Sequence, residues 1–255
     1  MSFDEIQLLE WQEAIEEACL NLNGIVKHCG RNSFAHIRKA WTIRKVDPEM
    51  AVFRAITAEE EAATAIIHAL KVKQYEDSKL LNQRNHNHKS GIWYYIMSVN
   101  NALAETNIPT PEVRLQKKPP RIDLFLELSD SPLSLEQKMH ATLDNPLNFS
   151  MKIDSKERHK AFQEQFDTFA ATQGHLSIQK FIEAEANMRN KLLYASEGGI
   201  PSAEFKEVFL EGRLKRVTVL MSIALIIMQT SQKQLFIQQC LNDYIEALRQ
   251  NERLT

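Results

Sequence analysis

The chain has 255 residues, 44% hydrophobic and 25% charged, with a formal net charge of −2. That length buries one sizeable core or two small ones, and the near-neutral charge excludes a global basic field for nonspecific nucleic-acid binding. Only 7 Gly and 8 Pro are present, too few turn formers for an all-β or doubly wound α/β fold, and the Ala, Leu, Ile, Glu, Gln and Lys content favours helix.

In chain order, residues 4–28 predict a first helix, with Leu8, Trp11, Ile15, Ala18, Leu22 and Ile25 at steps of three and four. Gly30 is expected to end it. A short helix is expected over 33–44. Asp47-Pro48 opens a third, with Asp as N-cap and Pro at the first helical position, running to about Val72. Further helical segments are expected over 75–85 and 91–105. Pro109, Pro111, Pro119 and Pro120 then break any helix. Ile122, Leu124, Leu126 and Leu128 alternate with other residues, as do Leu147, Phe149, Met151 and Ile153. Both runs predict strands with one buried face. Between them, Ser134 with Gln137 three residues on predicts a short capped helix to about Leu143. Helices resume over 154–172, 175–196, 202–230 and 231–251. The whole predicts a mainly α fold: a helical bundle, one domain over 1–255, with a small two-stranded β insert at 119–153.

The longest apolar stretch, Val217 to Met228, is 12 residues, short of the roughly 20 needed to span a bilayer. The opening Met1-Ser2-Phe3-Asp4-Glu5 is acidic, unlike a signal peptide. The three cysteines, Cys19, Cys29 and Cys240, form no CxxC pair. A cytoplasmic location is expected.

Two helices carry charge on their apolar faces. On a helical wheel Glu59 is surrounded by Val52, Ala55, Ile56, Ala62, Ala63, Ile66 and Leu70. An unpaired carboxylate there costs on the order of 3 kcal/mol or more. Either an Arg or Lys pairs with it to pin two helices, or it belongs to a site. The stretch Arg84-Asn85-His86-Asn87-His88-Lys89 has no apolar side chain and is a candidate source of that partner. In the helix over 175–196, Glu185 and Arg189 fall on the face defined by Ile178, Phe181, Ile182, Leu192 and Leu193. Their i,i+4 spacing predicts an internal ion pair. The facing of Glu59, Glu185, Arg189, Arg84, His86 and His88 predicts one polar pocket between helices.

Arg31-Asn32-Ser33-Phe34-Ala35-His36 sets His four intervening positions after Arg, with Asn following the Arg. This resembles the Arg-x4-6-His motif of the HEPN superfamily, and the Glu-rich helix from Thr57 to Leu70 is similar to that of its abortive-infection-type relatives. The resemblance implies a small helical bundle and a metal-independent endoribonuclease of toxin–antitoxin or phage-defence systems, acting as a dimer. The residue types suit that chemistry: His moves a proton to or from a ribose hydroxyl, and Arg stabilises charge on phosphate. Two further Arg-Asn pairs depart from the pattern. Arg84-Asn85 is followed by His86 and His88, one residue short of the spacing, and Arg189-Asn190 has Tyr194 where the family has His.

Other chemistries have weaker footing. His86 and His88 with Glu59 or Glu61 suggest a chelate, but no HExxH motif supports it. Cys29 beside His28 is a poor nucleophile pair, since sequence neighbours rarely align for catalysis. No phosphate-binding glycine loop and no GxSxG elbow occurs. The expected function is a HEPN-like RNA-cleaving or RNA-binding effector. Candidate site residues are Arg84, His86, His88, Arg31, His36, Glu59, Glu185 and Arg189. The competing expectation is a non-catalytic helical scaffold or subunit whose internal Glu/Arg groups fix helix register. Expected partners are RNA, a second copy or a partner protein; no cofactor, metal ion or membrane is expected.

Overall fold

The computed structural model describes residues 5–104, 112–117, 120–127, 140–142, 145–151, 162–175, 178–194 and 206–252. These form helices α1 (Glu10–Leu20), α2 (Gly24–Ile43), α3 (Pro48–Val72), α4 (His86–Ala104), α5 (Gln163–Thr172), α6 (Ile178–Lys191), α7 (Glu207–Gln229) and α8 (Leu235–Glu252). Strands β1 (Glu112–Lys117), β2 (Pro120–Glu127) and β3 (His140–Thr142) make one antiparallel sheet in the order β1-β2-β3. The fold is mainly α with a small β insert. Among the described residues, no helix is long and apolar enough to cross a membrane.

Helix α3 begins and ends where its sequence predicts. The Asp47 side chain accepts from the Met50 amide at 3.0 Å, and Pro48 occupies the first helical position. The helix is buried on nearly every side and lies against α2, α4 and α7. Ala51, Ala55, Ala58, Ala62, Ala65 and Ala69 are fully buried. Their small side chains let the neighbouring helices close in, and the dispersion contacts of those neighbours stabilise the middle of the molecule.

Several boundaries differ from expectation. The first break falls at Asn21–Asn23, and Gly30 lies inside a continuous α2. Its role is close approach: a Cβ there would lie 2.9 Å from Met221 Cε and 3.1 Å from Cys19 Cβ. Residues 75–85 form only a 3-10 turn at Ser78–Leu80, preceded by Gln74 and Asp77 with positive φ. Helix α4 then starts at His86 instead of Gly91, because Asn85 caps it by accepting from the Asn87 amide at 2.9 Å. The polar stretch that looks like a loop is therefore the first turn of a helix.

The insert also differs. Strand β1 pairs with β2 in the register Val113↔Leu124 and Leu115↔Ile122, so the sheet has three strands and begins before residue 119. Residues 140–142 are the edge strand β3, where a helix end was expected; 134–139 and 143 lie outside the described residues. Leu147 to Met151 are not a strand, despite their alternation. Their backbone is claimed by glutamines of α8 and the turn before it. Gln234 Oε1 accepts from the Leu147 amide at 3.1 Å, Gln239 Oε1 accepts from the Met151 amide at 2.9 Å, and Gln239 Nε2 donates to the Met151 carbonyl. A side-chain amide satisfies both groups that a strand partner would have taken.

Candidate functional site

The charged face of α3 splits between two sets of partners. Successive residues on a helix point about 100° apart, so Glu59 and Glu60 face different neighbours although both are buried. Glu59 Oε2 accepts from Arg213 Nη1 and lies 3.5 Å from Arg216 Nη1, both on α7. Glu60 Oε1 lies 2.8 Å from His86 Nδ1, and Glu60 Oε2 lies 3.0 Å from Lys89 Nζ, both in the first turn of α4. Arg189 of α6 reaches the same Oε2 at 3.3 Å.

A second tier extends the Glu59 set. The Tyr94 hydroxyl donates to Glu185 Oε2 and accepts from Arg216 Nη1 at 3.1 Å. Glu185 Oε2 also stands 4.0 Å from Arg213 Nη2. Burial pushes the Tyr94 phenol well above its ordinary pKa; Arg216 opposes this, while Glu185 and Glu59 add to it. Burial by itself would lower the Arg213 guanidinium, but Glu59, Tyr94 and Glu185 outweigh it, and its pKa is raised. The layer sets three carboxylates against Lys89, Arg189, Arg213 and Arg216, before His86 is counted.

The layer has little free space inside, and some of its side chains reach solvent. The gap between Glu59, Glu60, Lys89, Ser90, Glu185 and Arg213 is about 10 Å³, room for one water at most. The His86 side chain is 44% exposed, and those of Arg189 and Arg216 are 27% and 26% exposed. Arg189 lies over the Phe53 ring at 4.8 Å and Arg216 over the Trp93 ring at 5.3 Å. His86 Nε2 stands 3.5 Å from Arg189 Nη1. An arginine only donates, so that contact requires the lone pair on Nε2 and the hydrogen on Nδ1, toward Glu60.

The sequence-predicted residues divide accordingly. Glu59, Glu185, Arg189 and His86 converge between α3, α4, α6 and α7, but not in the pairs expected. Glu185 and Arg189 take partners on other helices rather than each other, because each meets a closer complementary group across the interface. The cluster on α4 pairs with Glu60 instead of Glu59. His88 turns away, its Nδ1 accepting from the Asn82 amide at 3.0 Å. Arg84 is exposed, and its amide donates to Asn82 Oδ1.

Arg31 and His36 do not form a site together. Both lie on the continuous α2, five positions apart, and so point about 140° from each other. Arg31 is exposed and lines an open cleft of about 430 Å³ with His28, Cys29, Asn32 and Glu61. His36 Nδ1 faces Arg54 Nη1 at 3.5 Å. Burial, then Arg54 and Lys39, lower its pKa. Burial pushes the Cys29 thiol up to about 12, with Glu61 adding, which removes the nucleophilic thiolate. Among the described residues, no group of three His, Cys, Asp or Glu is placed to hold a metal ion.

Sequence reasoning passed over Glu60, Tyr94, Arg213 and Arg216, and named Lys89 only within the polar stretch from Arg84. Arg213 carried a readable signal, since it falls in the stripe Leu210, Leu214, Val217, Leu220 that buries α7. Tyr94 carried none, because a tyrosine on an apolar face is ordinary. The chain matches no protein-family model, and it has no significant match to a curated protein or a solved structure.

Proposed function

We propose that the partly exposed side chains of His86, Arg189 and Arg216 bind the backbone of single-stranded RNA and that His86 and Arg189 cleave it without metal. The observation that carries this reading is the Glu60–His86–Arg189 relay, with Nδ1 of His86 at 2.8 Å from Glu60 and Nε2 turned to Arg189 at the solvent edge. A carboxylate that holds one ring nitrogen leaves the other as a base, and an adjacent guanidinium stabilises charge on phosphate. In the reaction, Arg189 turns from Nε2 to the phosphate, the freed Nε2 takes the proton of a ribose 2′-hydroxyl, and the 2′-oxygen attacks the neighbouring phosphorus. The bond to the 5′-oxygen breaks, and that oxygen takes a proton from water. The products are a 2′,3′-cyclic phosphate and a 5′-hydroxyl. The half-buried rings of Phe53 and Trp93 beside these cations suit base stacking. On this reading the HEPN-like chemistry rests on His86, Arg189 and Arg216, from α4, α6 and α7, rather than on the Arg31–His36 spacing. A homodimer, implied by the same resemblance, is checked by the mass in solution.

The test is incubation of purified protein with labelled single-stranded RNA in EDTA, comparing wild type with His86→Ala and Arg189→Ala. Wild-type cleavage lost in both variants supports the reading. Absence of both cleavage and RNA binding in the wild type sinks it. The scaffold reading is favoured by a different observation: the layer is closed to about 10 Å³ and each of its carboxylates has a cation within 4.0 Å. On that reading Glu60→Gln lowers stability and changes no activity.

A further inference from the structure

A cavity of about 270 Å³ lies between α3, α4, α7 and α8, away from the charged layer. Ile66, Leu70, Val99, Ile227, Phe236 and Leu241 are among the side chains that line it. On α3 its walls begin about two turns beyond Glu59. Two tyrosines also line it, but both spend their hydroxyls elsewhere. Tyr95 donates to Asp243 Oδ2 at 2.9 Å, and Tyr244 donates to the His88 carbonyl at 3.0 Å. The space therefore presents hydrocarbon. Of its lining residues, Asn100 alone is exposed.

Three occupants can be weighed. Ordered water needs two to four polar partners, and this lining does not provide them. A helix from a partner needs a broad exposed apolar face, whereas of these lining residues Asn100 alone is exposed. A small apolar molecule remains. A cavity of about 150 Å³ lined with aliphatic groups accommodates benzene, so one of about 270 Å³ accommodates a body nearly twice as large. That is about ten carbons of a flexible chain.

We infer that this cavity is a binding site for a medium-chain aliphatic molecule, with its polar end at Asn100. The methyl groups of Ile66, Ile223 and Ile227 contact the chain, and Ile15 and Ile37, which lie in the core but do not line the cavity, are bystanders. The site is independent of the RNA reading, since it shares no side chain with the Glu60–His86–Arg189 relay.

The test uses the full chain with 1-decanol and decanoate as probes. Calorimetric titration is expected to show saturable one-to-one binding of at least one probe. Isoleucine methyl spectra are expected to shift at Ile66, Ile223 and Ile227 and to stay fixed at Ile15 and Ile37. Ile66→Phe and Ile227→Phe, which fill the space, are expected to weaken binding at least tenfold; should either fail to fold, the methyl map on wild type decides. Absence of saturable binding, shifts spread equally over bystander isoleucines, or undiminished binding in folded filled variants overturns the inference. So does a concentration-dependent dimer that excludes both probes, since a second copy would then cover this face.

Discussion

Glu59 and Glu60 are adjacent in the chain yet hold different helices: Glu59 takes Arg213 on α7, and Glu60 takes His86 and Lys89 on α4. A step of about 100° along α3 turns one dipeptide into two interhelical clamps. Both carboxylates are buried, so each is costly alone and tolerable only with its cations.

Removing one partner of the Glu59–Arg213 pair is expected to destabilise the protein strongly. Glu59→Ala leaves Arg213 buried with only Glu185, 4.0 Å away, as counter-charge and costs up to about 3–5 kcal/mol. Replacing both, Glu59→Leu with Arg213→Met, removes both buried charges and costs far less than the single change. Urea unfolding of the wild type, Glu59→Leu, Arg213→Met and the double variant checks this; a double variant as unstable as the sum of its parts would show that the pair is not coupled.

The RNA reading separates two sets of candidates. Arg31→Ala with His36→Ala is expected to leave cleavage at the wild-type rate, since these side chains diverge on α2 and touch neither Glu60 nor Arg189. His86→Ala is expected to lower it at least a hundredfold, the usual contribution of a general base. His88→Ala should act mildly and through stability, since its ring secures the turn at Asn82. Cleavage rates matched to melting temperatures distinguish these effects.

Asp243 makes stability depend on pH. Its side chain is fully buried, and burial pushes its carboxyl from 3.8 up to about 7, with the Tyr95 hydroxyl and the Phe162 amide pulling back. In the unfolded chain the proton leaves near pH 4. Between about pH 4 and 7 the native state holds more protons than the unfolded state, so this residue's contribution to stability falls as pH rises. The full difference is on the order of 4 kcal/mol. Asp243→Asn keeps an acceptor for Tyr95 and carries no charge. Its stability relative to wild type is expected to rise from pH 4 to pH 8, measured by denaturant unfolding at several pH values. A constant difference across that range would refute the assignment.

Two helical glycines should respond oppositely to alanine. A Cβ at Gly91 would lie 2.5 Å from the Tyr244 hydroxyl and 2.9 Å from Ile182 Cδ1. Gly91→Ala therefore forces α4 from α6 and α8 and is expected to cost about 1–3 kcal/mol. Gly212 on α7 is exposed and has nothing within 4 Å of that position. Gly212→Ala is expected to gain about 0.5–1 kcal/mol from reduced backbone freedom in the unfolded chain. Thermal melts of both variants check the signs.

By itself the sequence determined what is local. The helical period, the Asp47-Pro48 start and the inward facing of Glu59, Glu185 and Arg189 all follow from neighbours within a few residues, because side-chain direction repeats with helix geometry. Tertiary structure decided what depends on distant segments. Arg213 is 154 positions from Glu59, and nothing within one helix marks which cation will cross to it. The start of α4 was hidden because a capped polar first turn reads like a loop until its apolar continuation packs. The alternation of Leu147 to Met151 looked like a strand because period two records only which face is buried. Glutamines 87 and 88 positions further on took its backbone groups instead of a sheet.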